Sequence, residues 1–257
     1  MKLNYKQVSS EGQPLVVLHG VFGSLDNWAT VSKEIADAGY AVYLLDQRNH
    51  GRSPHSDEFT QEAMAADLAE FVEEHSLQNP VLVGHSMGGK TVMRYAMEYP
   101  DTYDKLVIVD IAPRYYPPHH KSLLEGLNAL PLVKIENRQQ ADELFSAHEP
   151  NVGVRQFLLK NLYRTAEGTF AWRFNLPVLT AQIEQVGEAI PKLRSVPEST
   201  LFMRGALSPY IKDEDREAIE DLFPNAEIVT IPKAGHWVHA EKPKEFVAAL
   251  TEFLAKR

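Results

Sequence analysis

Residues 80–100 of the chain read PVLVGHSMGGKTVMRYAMEYP. An apolar run, Val81 to Val83, is followed by a glycine-rich turn and then by apolar residues at spacings of three and four, so the stretch predicts a strand, a sharp turn and a helix. Ser86 lies at the turn within the pattern Gly-x-Ser-x-Gly, which in this setting is typical of a nucleophile elbow. Gly84 and Gly88 allow the close chain approach that such a turn requires. We therefore predict that Ser86 is a catalytic nucleophile rather than a solvated serine in an ordinary turn.

The composition of the 257-residue chain is that of a globular protein, with 44% hydrophobic and 24% charged residues. A net charge of −9 without a basic cluster argues against a nucleic-acid or anionic-membrane surface. The lack of cysteine excludes disulfides and thiolate metal sites. No apolar run approaches the roughly 20 residues of a membrane span, and the first residues lack the apolar core of a signal peptide. We therefore expect a cytoplasmic protein.

Apolar runs alternate with helical patterns through the first 112 residues and again after residue 190. This alternation predicts a doubly wound, mostly parallel α/β sheet, with an edge strand at residues 3–8. Ligands bind such sheets beyond the carboxyl ends of the strands, so the chemistry is expected in the loops there. The central strands are predicted at residues 14–18, 41–45, 81–83, 105–110, 199–205 and 226–231.

Between residues 113 and 190 strand-like runs are sparse and amphipathic helical patterns take their place. We expect residues 113–190 to form a helical cap that is inserted into a core made of residues 1–112 and 191–257. Helices above the strand ends would cover the site. They are predicted at residues 119–130, 139–148, 152–162 and 177–188.

Aromatic residues of the predicted cap would line an acyl pocket beneath it, although ordinary core packing explains any one of them. Arg173 has two open interpretations, because it suits a substrate carboxylate or phosphate and also a structural salt bridge. The pair His119-His120 has no carboxylate or cysteine at ligand spacing, and we interpret it as solvated. The residues predicted to bind substrate are Tyr116, Phe157, Trp172, Arg173, Tyr210 and Trp237.

His236 is the predicted general base. It follows the last predicted strand in a glycine-containing loop, where the histidine of a Ser–Asp–His triad arrives in chain order. A serine hydroxyl is a poor nucleophile at neutral pH and needs a neighbouring imidazole to accept its proton. His239, three residues later, is interpreted as packing beneath this loop or capping the closing helix.

Attack by a serine on an acyl carbon creates an oxyanion, which requires preorganised donors. The Met87 amide, directly after the nucleophile, is predicted to be one of them. The second is expected from the loop after an earlier strand, where we favour the Val21 amide, with Phe22 as the close alternative; a plain glycine turn with Phe22 in the core is the other interpretation. His19 is predicted to be a structural hydrogen-bonding residue under this loop, and His50 to lie in a supporting or surface position.

The acid that orients His236 has two candidates. The usual position, after the penultimate strand, offers no carboxylate before Asp213, which lies at or within a helix. Asp110 ends the strand that follows the elbow helix, and this strand end also points at the site, so we choose Asp110 over Asp213. Ser208 occupies the vacant acid position, and its hydroxyl is predicted to hydrogen-bond Asp110 or His236.

With these motifs in order, the chain resembles the α/β-hydrolases over nearly its whole length, and among them the bacterial YbfF-type esterases. In that group the acid is carried on the DIAP strand end and a serine fills the usual acid position, which supports Asp110 and Ser208. The resemblance implies hydrolysis of short-chain esters, with acyl-CoA thioesters as an extension, and no cofactor. The shared motifs include GHSMGGK at 84–90, RNHGRS at 48–53, DIAP at 110–113 and GHWVHAEKP at 235–243.

These patterns predict a serine carboxylesterase that acts on short- to medium-chain acyl esters through an acyl-enzyme. A serine at the elbow argues against haloalkane dehalogenase and epoxide hydrolase chemistry, which use an aspartate there. The alternatives are a cofactor-free C–C hydrolase, lyase or perhydrolase with the same triad, and a ligand sensor on the same fold. The expected partner is a small-molecule ester or thioester, and the expected assembly is a monomer or a homodimer.

Overall fold

The structure, a computed structural model, describes residues 1–256 and contains one large sheet of seven strands within that range. Each strand overlaps a run predicted from the sequence. The strands are β1 (Tyr5–Gln7), β2 (Gln13–Leu18), β3 (Tyr40–Leu45), β4 (Val81–His85), β5 (Leu106–Val109), β8 (Thr200–Gly205) and β9 (Ala226–Ile231), and a separate hairpin is formed by β6 (Leu162–Arg164) and β7 (Phe170–Trp172).

The strand order in the large sheet is β1-β3-β2-β4-β5-β8-β9. Only β1 runs antiparallel to its neighbour, and every other pair is parallel. Because the parallel strands share a direction, their carboxyl ends all meet at one edge of the sheet. The predicted doubly wound, mostly parallel α/β architecture is confirmed.

Helices cover both faces of this sheet. The helix α2, for example, starts after Thr60, whose hydroxyl accepts a hydrogen bond from the Ala63 amide at 3.1 Å. The helices are α1 (Ala29–Asp37), α2 (Gln61–Glu74), α3 (Met87–Glu98), α4 (Lys121–Ala129), α5 (Arg138–Phe145), α6 (Val152–Leu159), α7 (Leu176–Gln182), α8 (Glu184–Gly187), α9 (Arg216–Leu222), α10 (Val238–Glu241) and α11 (Pro243–Leu254).

Alternate residues of the central strands enter two different cores. In β2, Val16 and Leu18 pack with residues of α2 and α3, whereas Leu15 and Val17 pack with residues of α1 and α11. Successive side chains of a strand point to opposite faces, so an unbroken apolar run is what a sheet covered on both sides requires. This packing holds the strand ends, and the loops after them, in fixed positions.

The segment between β5 and β8 carries α4 to α8 and the hairpin β6–β7, and it contributes most of a third apolar cluster, which also includes Phe22, Phe59, Met64 and Met87. Helices are present where the sequence predicted them, but the predicted helix over 152–162 ends at Leu159 and that over 177–188 is divided into α7 and α8. The hairpin was not expected. The assignment of residues 113–190 as a separate cap remains a prediction.

The hairpin forms because the chain turns sharply at Gly168. That residue has φ = 84°, which is accessible to glycine, and its amide donates to the Thr165 carbonyl at 3.0 Å. Asn161, just before β6, donates from its side chain to the Leu158 and Phe22 carbonyls and so stops α6 against the core.

None of the helices within residues 1–256 has the length and apolar character that a bilayer span demands.

Candidate active site

Ser86 lies at the tip of the turn between β4 and α3, with φ = 52° and ψ = −116°. Residues other than glycine rarely adopt a positive φ, so the surrounding chain must hold this strained conformation. A Cβ at Gly84 would lie 2.2 Å from the Gly88 carbonyl oxygen, and a Cβ at Gly88 would lie 2.6 Å from that of Leu18. The turn therefore depends on both glycines, as the sequence indicated.

Asp110 directly follows β5, and its carboxylate is completely buried. The side-chain oxygen Oδ2 accepts a hydrogen bond from His236 Nδ1 at 2.7 Å, and Oδ1 accepts one from the Gly205 amide at 3.1 Å. The Ser208 hydroxyl donates to Oδ2 as well. A buried carboxylate needs such partners, because leaving a charge unpaired away from water is costly.

Asp213, the alternative acid, lies elsewhere. Its side chain is 92% exposed and pairs with Arg204 at 2.7 Å. Of the two carboxylates weighed from the sequence, the structure brings only Asp110 to His236. Ser208 lies where the sequence suggested, since its hydroxyl contacts Asp110.

His236 is positioned by the loop that follows β9. Gly205, the last residue of β8, allows this loop to lie close to the strand, because a Cβ at Gly205 would lie 2.2 Å from the Gly235 carbonyl oxygen. The backbone oxygen of His236 accepts from His85 Nε2 at 2.9 Å, and the Tyr210 ring stacks on the imidazole with a centroid separation of 4.0 Å. The His236 side chain remains 19% exposed.

Ser86 and His236 line the same cavity. No hydrogen bond joins Ser86 Oγ to the imidazole in the part of the chain that the structure describes. Hydrogen bonds of this kind are often long or poorly aligned until a substrate is bound. The imidazole thus contacts the Asp110 carboxylate directly, and His236 and Ser86 are both part of the cavity wall.

The two amides considered for the oxyanion hole differ in their partners. The Phe22 amide donates to His50 Nε2 at 3.1 Å, so it is already engaged. Among residues 1–256 the Val21 amide has no hydrogen-bond partner, and Val21 lines the cavity. Met87 is the first residue of α3, where amides lack partners within the helix. The geometry leaves the Val21 and Met87 amides available.

His19 and His50 support this loop as neutral rings. In each, Nδ1 donates to a backbone carbonyl, which leaves Nε2 as the acceptor for a backbone amide: Gln47 for His19 and Phe22 for His50. Burial lowers the pKa of His19 to about 4 and that of His50 to about 3. Both rings therefore serve the structure of the loop, as the sequence predicted for His19.

The cavity has a volume of about 340 Å³ and is lined largely by apolar and aromatic side chains. It lies beyond the carboxyl ends of β2 and β4. This is where an acyl group could be enclosed beside Ser86. The predicted site residues that line it are Val21, Phe22, Ser86, Tyr116, Phe157, Tyr210, His236 and Trp237.

Two of the predicted substrate-binding residues, Trp172 and Arg173, do not line this cavity. Trp172 is buried in the third apolar cluster and is stacked on Phe174. Arg173 forms no salt bridge within residues 1–256; its guanidinium lies over the Tyr163 ring at 4.7 Å and faces a neighbouring groove. Trp172 is the last residue of β7 and Arg173 follows the strand, and the sequence alone did not show that both side chains turn away from the cavity.

Part of the cavity wall was not predicted from the sequence. His119 and His120, which were interpreted as solvated, both line the cavity. His119 is indeed exposed, and its Nε2 lies 2.7 Å from the Tyr210 hydroxyl, whereas His120 is half-buried. Burial lowers the pKa of His120 to about 3. The aromatic and proline residues beside this pair in the sequence were the available sign that it lies in the cavity wall. Within residues 1–256 no group of histidine and acidic side chains is arranged to hold a metal ion.

Two known proteins are similar to this chain over nearly its whole length. A mouse (Mus musculus) protein named sn-1-specific diacylglycerol lipase ABHD11 is 39% identical over 94% of this chain and 80% of its own length. Esterase YbfF of Escherichia coli is 36% identical over 99% of both chains. The predicted resemblance to YbfF-type esterases is confirmed.

A solved structure, titled marine microorganism esterase, superposes with a TM-score of 0.96 at 39% identity and covers 98% of this chain and 99% of its own. The family described as alpha/beta hydrolase fold matches residues 13–243. That match spans every strand of the sheet except β1. The chain belongs to the α/β-hydrolase family.

Proposed function

We propose that the protein is a serine carboxylesterase in which Ser86 is the nucleophile, His236 the general base and Asp110 the acid that orients the base. The observation that carries this proposal is the 2.7 Å hydrogen bond from His236 Nδ1 to the buried Asp110 carboxylate, on the wall of the cavity that also contains Ser86. The hydrogen bond between His236 and Asp110, together with Ser86 on the wall of the same cavity as His236, supports a Ser–His–Asp triad.

Acylation follows from the hydrogen bonds of this group. Asp110 accepts a hydrogen bond from Nδ1–H of His236, which keeps the proton on Nδ1 and leaves Nε2 free to take the proton of Ser86 Oγ. The hydroxyl oxygen attacks the acyl carbonyl, and the Val21 and Met87 amides stabilise the oxyanion. His236 then returns the proton to the leaving alcohol.

Deacylation repeats these steps with water. His236 accepts a proton from a water molecule, which attacks the acyl-enzyme, and the proton passes to Ser86 Oγ as the acid departs. Ser208 supports the Asp110 carboxylate, whose charge stabilises the imidazolium in both halves of the cycle. No cofactor takes part in these steps.

The relatives named as esterases and a lipase bear out the prediction of an enzyme that hydrolyses carboxylic esters. The mainly apolar cavity of about 340 Å³ supports acyl groups of short to medium length. Acyl-CoA thioesters fall within the same proposal, because the chemistry differs only in the leaving atom. We also propose that the protein is cytoplasmic and that it is a monomer or a homodimer.

The test is turnover of p-nitrophenyl esters from acetate to octanoate. We expect steady hydrolysis that Ser86→Ala abolishes and Ser122→Ala leaves intact, because Ser122 lines the cavity without belonging to the catalytic group. A ligand sensor would release at most one equivalent of p-nitrophenol. A C–C hydrolase, lyase or perhydrolase would act on its own substrate class with Ser86 while leaving the ester series nearly unchanged.

A further inference from the structure

A polar groove of about 490 Å³ lies beside the catalytic cavity. Four basic side chains line it, although the chain as a whole has a net charge of −9. We call it the cationic groove and define it by Lys6, Arg52, Lys160 and Arg173. These residues come from distant parts of the sequence, so the sequence alone showed no basic cluster.

The four basic groups of the cationic groove lack carboxylate partners. Within residues 1–256 none of them forms a salt bridge, whereas Arg48, Arg114 and Arg155 each pair with an aspartate. Lys6, Arg52 and Lys160 are exposed, and the Arg173 guanidinium is held over the Tyr163 ring at 4.7 Å. Positive charges that no acidic side chain neutralises are available to an anionic ligand.

The acidic residues of the groove do not cancel this charge. Asp46 is buried, and its oxygens accept hydrogen bonds from the Leu25 amide, the Asn4 side chain and the Arg52 amide. Asp26 is the second of the two acidic residues that line the groove. Four cations against two carboxylates leave a formal charge of +2, which matches a phosphate monoester dianion better than a single carboxylate.

The groove and the catalytic cavity are neighbours. Asn27 and Phe157 line both of them, and each side chain is only half-buried. These two residues therefore form a shared rim rather than a sealed partition. A substrate whose acyl group lies in the apolar cavity could extend its leaving group over this rim into the groove.

We propose that the cationic groove binds a phosphate group carried on the alcohol portion of the ester substrate. This inference rests on the proposed function and adds the substrate class. Lysine and arginine side chains bind phosphate through charge-assisted hydrogen bonds, and arginine does so in a bidentate manner. The apolar cavity takes the acyl chain, and the groove selects the anionic leaving group.

The test compares matched substrates: butyrate esters of ω-hydroxyalkyl phosphates with two to eight carbons, and the same esters without the phosphate. At low salt we expect kcat/KM to favour the phosphate ester by at least about tenfold at one linker length, and the preference to fall at high ionic strength. Equal kcat/KM for both esters at every length would overturn the proposal. A stronger preference for an ω-carboxyalkyl ester would also overturn it.

Charge variants assign the effect to the groove. Lys160→Glu and Arg52→Gln should each lower kcat/KM for the phosphate ester by about tenfold and change the neutral ester less than about twofold. Both side chains are exposed, so the fold should be kept. Lys33→Glu is the control, because Lys33 is an exposed lysine outside the groove. Equal losses on both esters, or the same loss in the control, would contradict the assignment.

Binding separates this proposal from the hydrolase proposal. Calorimetric titration of the unmodified protein and of Ser86→Ala with n-hexyl phosphate needs no turnover. We expect binding in both that Lys160→Glu weakens by about tenfold. Absence of binding would overturn the phosphate site even if neutral esters are hydrolysed, and binding without any ester turnover would leave the site supported while the hydrolase proposal failed.

Discussion

The buried carboxylate of Asp110 accepts a hydrogen bond from Nδ1 of His236 at 2.7 Å, across 126 positions of sequence. Asp110 itself has φ = 54°, a strained conformation that turns its side chain from the end of β5 towards the last loop of the chain. The bond fixes which imidazole nitrogen is free to face the cavity. The proposed chemistry depends on this pair.

Replacing Asp110 by asparagine tests the orienting role. The substituted amide would keep the shape of the carboxylate, but it would present a donor or a neutral oxygen to Nδ1 and so lose control of the tautomer. We expect Asp110→Asn to lower kcat by about three to four orders of magnitude. Asp213→Asn is the matched control and should remain near wild type. The assignment is wrong if the control loses activity and Asp110→Asn does not.

Ser208→Ala should have a milder effect. It removes one of the three hydrogen bonds that the Asp110 carboxylate accepts, while His236 and the Gly205 amide remain. We expect kcat to fall about tenfold with little change in KM. Steady-state kinetics on one p-nitrophenyl ester is sufficient. Activity equal to wild type would remove Ser208 from the network.

His50 predicts a pH dependence of stability. Its folded pKa of about 3 lies below the ordinary value of 6.5, so the unfolded chain binds more protons and stability falls as pH drops below about 6.5. A glutamine side chain in its place would offer an acceptor to the Phe22 amide without titrating. Between pH 6.5 and pH 5, wild type should lose about 1.5 kcal/mol more than His50→Gln in urea unfolding. Parallel curves would show that His50 does not titrate as described.

The buried Lys90 side chain predicts that stability also depends on pH in the alkaline range. Its ammonium, fully buried in α3, donates to the Pro113, Arg114 and Glu188 carbonyls, which lie near the two ends of residues 113–190. Burial lowers its pKa from 10.5 to about 7, so the unfolded chain binds more protons above pH 7 and stability rises towards pH 10.5.

Comparison with Lys90→Met isolates this contribution. The stability of wild type relative to Lys90→Met should increase between about pH 6.5 and pH 9.5, as measured by urea unfolding at each pH. Other groups titrate in both proteins and cancel in the difference. A difference that is constant with pH would contradict the depressed pKa.

The sequence was informative where structure is local. The strand, turn and helix around Ser86 follow from glycine spacing and apolar periodicity within one short stretch. Asp110 and His236 follow strands whose ends the same reasoning places together. The choice of Asp110 over Asp213 was possible because only one of them ends a buried strand.

The sequence was less informative about features that depend on tertiary contacts. The direction of Trp172 and Arg173 depends on which face of the β6–β7 hairpin is covered, and the helical pattern before it gave no sign of the hairpin. His119 contacts the hydroxyl of Tyr210, 91 positions away in the sequence, and the Tyr210 ring is stacked on His236. The cationic groove likewise assembles residues that are isolated in sequence.

The central claim is that Ser86 forms the covalent intermediate, and labelling with a fluorophosphonate followed by peptide mass spectrometry tests it most directly. We predict one phosphonyl adduct, on Ser86, with ester turnover lost in proportion to labelling and no adduct in Ser86→Ala. An adduct on another residue that accounts for the lost turnover, or full ester turnover by Ser86→Ala, would contradict the account.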